Sequence, residues 1–133
     1  MLEYRVSARR IDAHGSEARA KEAVLVLDTD LAGRADALNP AELLLAALAA
    51  CILKGVERVM PILNFQLSAV SVRLHGVRQD SPPRLQRITY ELLVDTAESD
   101  HRLDLLLRNV QKFGTIHNTL APAVELVGTV RRA

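Results

Sequence analysis

Alternating apolar and polar residues predict strands at the start of the chain. From Leu2 to Arg10 apolar side chains alternate with charged and polar ones, the period of a strand with one wet face. A turn follows, and a second strand is predicted near Ala23 to Asp28. These two strands are expected to form a hairpin with His14 and Gly15 near its tip.

The same alternation returns in the second half of the chain and predicts three more strands. Val70, Val72 and Leu74 alternate with polar residues, and a turn at Ser81-Pro-Pro83 leads to the next strand. The predicted segments begin at Val70, at Ile88 (continuing to Val94) and at Ala123 (continuing to Val130).

A long apolar helix is predicted from Asn39 onward. Asn39 suits the N-cap and Pro40 the first helical position, while Glu42 is placed to bond back to the cap amide as in a capping box. The run Leu43–Leu53 is apolar on almost every side, which indicates a helix buried all round. Pro61 is expected to end or kink this helix.

A second helix is predicted after Ser99, a suitable N-cap. Its apolar face recurs at helical spacing in Leu103, Leu106, Leu107, Val110 and Phe113. The predicted order is therefore β-β-α-β-β-α-β. Grouped hairpins separated by helices favour an α+β fold with one mainly antiparallel five-stranded sheet, in a single domain over residues 1–133.

The apolar helix also predicts a partner. One five-stranded sheet covers only one side of a helix that is apolar all round, so another surface must cover the remainder. The simplest source of such a surface is a second copy of the same chain in a twofold dimer. We therefore expect a homodimer.

Composition and charge exclude several classes of protein. The chain has 133 residues, a formal net charge of +1 and only four aromatic residues, so a base-stacking nucleic-acid surface is not expected. The longest apolar run is too short to span a bilayer. No signal peptide, phosphate-binding loop or metal-ligand spacing is evident, so no cofactor, metal or membrane partner is predicted, and a cytoplasmic location is the default.

Cys51 is the single cysteine, and it falls in the middle of the apolar helix. From position alone an inert core cysteine is the favoured interpretation, because free cysteine behaves as a small hydrophobe. A reactive thiolate there needs a cation or base from another element. His117, after the second helix, is one candidate, although a histidine in a capping turn explains it equally well. Lys54 is expected to point to solvent.

The other three histidines share no metal-ligand spacing and are expected at the surface. They are His14, His75 and His101.

Two separated segments resemble the signatures of the OsmC/Ohr family. Residues 39–51, NPAELLLAALAAC, resemble the family's Leu/Ala helix that begins with Asn-Pro or Ser-Pro and leads to a cysteine. Residues 112–120, KFGTIHNTL, are similar to its second signature, usually Cys-Pro-Val-Ser-Asn-Thr-Leu. The resemblance covers the chain from the first hairpin to the last strand.

The resemblance implies an intertwined homodimer with two central helices and sheets outside them. Active members reduce organic hydroperoxides through a cysteine thiolate, and Cys51 falls on that position. The thiolate becomes a sulfenic acid, which a second cysteine resolves before a dithiol reductant restores both. An arginine from the N-terminal hairpin region stabilises the thiolate; Arg10, Arg19 and Arg34 are candidates, with Arg19 the first choice.

The chain departs from the family pattern at several positions. Aligning Asn118-Thr119-Leu120 with the family's Asn-Thr-Leu puts Gly114 at the resolving cysteine, so no intramolecular disulfide can form. His117 replaces the serine. The family's acidic residue falls on Ala41, and Glu42 lies one place further, about 100° around the helix. A capping role for Glu42 is therefore favoured over a catalytic one.

Two functions remain open. The first is a one-cysteine peroxidase for organic hydroperoxides, with Cys51 as nucleophile, an external thiol as reductant, and His117 as base or hydrogen-bond donor. The second is a non-catalytic protein of this fold that binds an apolar small molecule in the dimer cleft. Loss of the second cysteine favours the latter, and retention of Cys51 favours the former.

Overall fold

A computed structural model describes all 133 residues and shows six strands and three helices. The α+β class is confirmed. Two further elements, the second strand and the third helix, are absent from the order predicted from sequence. The elements are β1 (Ser7–Asp12), β2 (Gly15–Ala20), β3 (Ala23–Leu27), α1 (Pro40–Leu63), β4 (Ala69–Asp80), β5 (Pro83–Asp95), α2 (Asp100–Phe113), α3 (Thr115–Leu120) and β6 (Glu125–Arg132).

The chain divides into two compact units, Met1–Leu44 and Leu45–Ala133. The first unit holds a three-stranded antiparallel sheet in the order β1-β2-β3. His14 lies in the turn between β1 and β2, as predicted, and its amide donates to Asp12 Oδ1 at 2.8 Å. Lys21, in the turn between β2 and β3, has a φ of 57°.

The predicted pairing of the first strand with the segment at Ala23 is wrong, because β2 lies between them. β2 has the sequence GSEARA, which contains no large apolar residue and so lacks the alternation on which the prediction relied. Backbone hydrogen bonds to strands on both sides define it instead. The first strand also begins later than predicted, at Ser7.

The second unit holds the core. A sheet in the order β4-β5-β6 packs its inner face against α1 and α2. The twelve buried core residues are Leu48, Ile52, Val56, Val59, Phe65, Ile88, Tyr90, Leu92, Val94, Leu103, Leu106 and Val110. β4 and β5 are antiparallel, but β5 and β6 are parallel. The single five-stranded, mainly antiparallel sheet is therefore corrected to two three-stranded sheets, one of them mixed.

α1 begins as its sequence predicts. The Asn39 side chain accepts from the Glu42 amide at 2.8 Å, and the Glu42 carboxylate accepts from the Asn39 amide at 3.0 Å. This reciprocal pair is a capping box, which satisfies two amides that a helix start leaves without partners. Pro61 lies inside the last turn, and the helix ends at Leu63.

The prediction that α1 is buried all round is not met within one chain. Its fully buried side chains occupy a single face, which includes Leu48, Ile52 and Val56. The run Leu43–Ala47 is only partly buried. Lys54 is exposed, as expected.

The second helix also matches its prediction at the N-terminus, where Ser99 accepts from the Arg102 amide at 3.3 Å. α3 was not predicted, because its six residues are too few for a helical apolar period to be visible. Gly114 separates α2 from α3 with extended backbone, φ −79° and ψ 116°. No helix in the structure is both long enough and apolar enough to cross a membrane.

Candidate functional site

Cys51 lies midway along α1, between the fully buried Leu48 and Ile52 and at the edge of the core. Its thiol is free, and the residue is partly rather than fully buried. A structural cysteine is usually sealed within the core, and Cys51 is not fully enclosed in one chain. Cys51 is therefore partly buried within one chain, and the choice between an inert and a reactive cysteine stays a prediction.

Gly114 places the break between α2 and α3 against Cys51. A Cβ atom built on Gly114 would lie 3.1 Å from Cys51 Sγ and 3.2 Å from His117 Cβ. The position aligned with the family's second cysteine is therefore next to the sulfur of the first. Gly114 is buried and has a backbone conformation open to any residue. Local conformation does not require a glycine here.

His117 belongs to the same cluster. It lies on α3 and is partly buried, and its Nδ1 atom is buried without a hydrogen-bond partner. Burial lowers the pKa of His117, and a hydrogen bond with Asn118 opposes this shift. The imidazole is accordingly neutral near pH 7 and offers one ring nitrogen as an acceptor.

Tyr90 forms the third side of the cluster. It lies on β5, is 3% exposed, and meets the His117 ring edge-to-face with centroids 6.4 Å apart. Its hydroxyl oxygen accepts from Gln111 Nε2 at 2.8 Å. Burial raises the pKa of Tyr90, the Gln111 hydrogen bond lowers it, and negative charge on Cys51 raises it further. The contribution from Cys51 requires that the two side chains lie near each other.

Gly128 on β6 makes room for the Tyr90 ring. A Cβ atom on Gly128 would overlap the ring at its hydroxyl end, so the phenol lies directly against the backbone of the neighbouring strand. Tyr90 and Gly128 are paired in the parallel register of β5 and β6. The contact with the Gly128 backbone and the hydrogen bond from Gln111 together fix the position of the Tyr90 hydroxyl group.

The sequence interpretation did not include Tyr90, Gln111 or Gly128 in the site. Tyr90 falls within the strand predicted from Ile88 to Val94, and Gln111 lies among the polar residues of an amphipathic helix. A local signal existed, since a tyrosine on a buried face needs a partner for its hydroxyl. Its proximity to Cys51 depends on long-range packing that no local pattern reveals.

The remaining predicted site residues lie in the first unit. Glu42 forms the capping box described above. Arg19, on β2, donates to Glu17 at 2.8 Å and is largely exposed. Arg34 forms a paired hydrogen bond with Asp36, at 2.7 and 2.9 Å. Arg10, on β1, is exposed and has no ion-pair partner. Their assignment to Cys51 stays a prediction.

The three remaining histidines are exposed, as expected. His14 Nδ1 contacts Asp30 at 2.8 Å, and that hydrogen bond raises the pKa of His14. The structure contains no group of three or more His, Cys, Asp or Glu side chains placed to hold a metal ion.

An open cavity of about 370 Å³ lies over strands β4, β5 and β6. It is lined by Arg73, Leu74, His75, Thr89, Tyr90, Glu91, Val127 and Thr129. Cys51 is not among these residues and no other nucleophilic thiol exists in the chain. We therefore place the candidate site at Cys51 rather than in this cavity.

These features define an α+β protein whose single, partly buried cysteine lies near a neutral histidine and a buried tyrosine. The model of the OsmC-like protein family matches residues 33–127, and the chain belongs to that family. Comparison with curated proteins finds no match.

Solved structures share the fold over almost the whole chain. An OsmC-like protein from Mycoplasma pneumoniae is 21% identical with a TM-score of 0.86, covering 99% of this chain and 96% of its own. An organic hydroperoxide resistance protein OsmC from Legionella pneumophila is 18% identical, with a TM-score of 0.77 and 98% of both chains covered. The organic hydroperoxide resistance protein OhrB of Bacillus subtilis is 19% identical, with a TM-score of 0.68 and 98% of both chains covered.

Proposed function

We propose that this protein reduces organic hydroperoxides through Cys51 in a one-cysteine cycle. The observation that carries the proposal is a partly buried cysteine in a neighbourhood that contains two groups able to exchange protons, His117 and Tyr90. An inert core cysteine needs neither exposure nor such neighbours. The structural relatives described as organic hydroperoxide resistance proteins favour the same substrate class.

The chemical step converts the thiol to a sulfenic acid. Cys51 sulfur attacks one peroxide oxygen, the O–O bond breaks, and the released alkoxide takes the thiol proton to leave as an alcohol. His117, which is neutral, is suited to accept the thiol proton and pass it to the alkoxide. An arginine that stabilises the thiolate, with Arg19 the first choice, stays part of the proposal.

Resolution needs a thiol from outside the chain, because position 114 is glycine. An external thiol attacks the sulfenic sulfur, forms a mixed disulfide and releases water. A second external thiol then frees Cys51 and leaves as a disulfide. The cycle therefore consumes one hydroperoxide and two thiols and requires no metal or organic cofactor.

The test is direct trapping of the oxidised cysteine. The purified protein is treated with cumene hydroperoxide and a sulfenate-selective probe, and the labelled residue is mapped by mass spectrometry. We expect label on Cys51 and hydroperoxide consumption that depends on added thiol. Cys51→Ser, nearly the same size, is the control and should abolish both. An unlabelled Cys51 with no thiol-dependent consumption would contradict the proposal.

The alternative is a non-catalytic protein that binds an apolar small molecule in the cleft of a dimer. The observation in its favour is the loss of the second cysteine at Gly114. This alternative predicts tight binding of an apolar ligand that Cys51→Ser leaves unchanged, together with no hydroperoxide turnover. The trapping experiment therefore separates the two functions.

A homodimer is part of both proposals, and it is supported by apolar side chains left exposed in the first unit. Val6 is 70% exposed, Ile11 50% and Val24 51%. Exposed apolar side chains in this number favour a protein partner surface. The cytoplasmic location, the absence of nucleic-acid and membrane partners and the single-domain organisation stay predictions.

A further inference from the structure

Two polar groups beside Cys51 lack the partner that their chemistry requires. His117 Nδ1 is buried and has no hydrogen-bond partner, and with the proton of the neutral ring on Nε2 it is an acceptor. The Tyr90 hydroxyl has one partner, Gln111, which donates to its oxygen and leaves the phenolic hydrogen without an acceptor. One group is thus an acceptor without a donor, and the other is a donor without an acceptor.

Neither group can easily turn toward water. Tyr90 is 3% exposed, and Gly128 and Gln111 hold its ring in place. The Nδ1 atom of His117 has no contact with solvent. Buried polar groups are hydrogen-bonded in the great majority of cases, and each exception destabilises the fold. Two such exceptions around one thiol point to a ligand that completes them.

A hydroxyl group attached to Cys51 sulfur has the complementary chemistry. Its oxygen accepts a hydrogen bond and its hydrogen donates one. The sulfur itself makes no hydrogen bond with His117 Nδ1, which remains without a partner in the thiol form. Oxidation adds one oxygen beyond the sulfur and so extends the reach of Cys51 toward the surrounding groups.

We propose that Tyr90 and His117 hold the sulfenic acid of Cys51, the tyrosine donating to its oxygen and the histidine accepting its hydrogen. This inference rests on the proposed function, because the sulfenic acid forms only when a hydroperoxide transfers one oxygen to sulfur and leaves as an alcohol. The pair replaces the second cysteine as the means of protecting the oxidised sulfur until an external thiol arrives.

The protonation state explains the protection. A neutral acceptor at Nδ1 favours the protonated sulfenic acid over its anion, and burial keeps His117 neutral. The anion is the more nucleophilic form, and its attack on a second hydroperoxide gives the irreversible sulfinic acid. Holding the hydrogen therefore slows overoxidation, and the ratio of sulfinic to sulfenic acid reports this step separately from the rate of the first oxidation.

Two substitutions test the pair. Tyr90→Phe removes the donor and keeps the ring, and His117→Leu removes the acceptor at similar volume. The chain provides matched controls in Tyr4→Phe and His101→Asn, since both residues are exposed. Each variant is treated with graded cumene hydroperoxide, and sulfenic and sulfinic forms are counted by mass spectrometry after trapping.

We expect the sulfinic-to-sulfenic ratio to rise about fivefold, the factor for one ordinary hydrogen bond, in His117→Leu, which removes the acceptor. The same rise is expected in Tyr90→Phe, because the sulfenic oxygen is then free to turn its hydrogen away from the histidine. The control variants Tyr4→Phe and His101→Asn should have the same sulfinic-to-sulfenic ratio as the unmodified protein. His117→Asn, whose side-chain oxygen supplies an acceptor near Nδ1, should restore the low ratio. Circular dichroism melts establish that each variant is folded at the assay temperature, and any unfolded variant is replaced by His117→Met or Tyr90→Met, which likewise lack the acceptor or the donor.

The outcomes separate this inference from the proposed function. If Cys51 forms sulfenic acid but both substitutions leave the ratio unchanged, the holding role is wrong and the peroxidase proposal stands. If Cys51 forms no sulfenic acid in the unmodified protein, both are wrong. A raised ratio that His117→Asn does not restore would also contradict the acceptor role.

Discussion

At the scale of single residues, two histidines experience opposite environments. The Asp30 carboxylate beside His14 raises its pKa through a hydrogen bond and charge attraction. Burial lowers the pKa of His117 because the charged ring loses water contact. The same side chain therefore serves as an exposed ion-pair partner in one place and as a neutral hydrogen-bond acceptor in the other.

The first prediction is that the two rings titrate on opposite sides of the ordinary histidine value. His14 stabilises the fold below its unfolded pKa, and this contribution is lost as pH rises through its folded pKa. His117 has the opposite sign, so the fold loses stability as pH falls from its unfolded pKa through its folded pKa. NMR titration of the ring protons measures both values. Asp30→Asn should lower only the His14 midpoint, and an unchanged midpoint would contradict the assignment.

Gly114 allows a second prediction at this scale. Its Cβ position lies 3.1 Å from Cys51 Sγ, close to the separation of about 3 Å between a Cβ and the partner sulfur across a disulfide. Gly114→Cys should therefore form an intramolecular disulfide with Cys51 on mild oxidation. The number of titratable thiols per chain should fall from two to none on oxidation. The disulfide should also raise the free energy of unfolding by roughly 2 kcal/mol.

The control for this substitution is Gly114→Ser, which adds similar bulk without a thiol. His117 Cβ and the Val110 carbonyl lie 3.2 and 3.3 Å from the same Cβ position, so both variants share any crowding. Two titratable thiols after oxidation, at a protein concentration that excludes intermolecular pairing, would show that the sulfurs do not meet.

At the scale of elements, helix starts follow local rules and strand pairing does not. The capping signals at Asn39 and Ser99 mark the starts of α1 and α2, because a cap depends on residues only a few positions apart. β2 lacks any apolar alternation and exists because two neighbouring strands bond to it. Local patterns therefore identify the helices better than the first sheet.

The capping box at α1 gives the third prediction. Glu42→Ala removes one of its two reciprocal hydrogen bonds and should lower the free energy of unfolding by about 1 kcal/mol. Glu42→Gln keeps an acceptor, so its free energy of unfolding should fall by less than half of the decrease in Glu42→Ala. Urea denaturation monitored by circular dichroism measures both.

Peroxide turnover separates the capping role of Glu42 from a catalytic one. If the carboxylate serves only the cap, turnover per folded molecule is the same in both variants. A large loss of turnover in Glu42→Gln, with stability intact, would instead support the catalytic assignment.

At the scale of the whole molecule, a single chain leaves many apolar side chains exposed to water, which is energetically unfavourable. Side chains in the first unit and along the first half of α1 that are usually buried remain in contact with solvent. Each fully buried aliphatic side chain contributes about 1.5–3 kcal/mol, so covering even a few of them stabilises an assembly substantially. A second copy provides the matching surface by symmetry.

The fourth prediction is a stable dimer. Sedimentation at micromolar concentration should give a mass of twice the 14.6 kDa of one chain. Val24→Glu places a charge among the exposed apolar residues of β3 and should shift the equilibrium toward monomer, since a buried unpaired charge is costly. Lys21→Glu, in the neighbouring exposed turn, is the control. A mass of one chain for the unmodified protein would contradict the dimer.

Local pattern was sufficient for the α+β class and for the starts of both long helices, and it identified Cys51 as the residue to test. Each depends on residues close in sequence: alternation, capping and the two family-like segments. The surroundings of Cys51 depend on the tertiary structure, because Tyr90, Gly114, His117 and Gly128 come from different elements. Packing of β5, β6, α2 and α3 around α1 brings these residues together, and that packing reflects the whole core rather than any short segment.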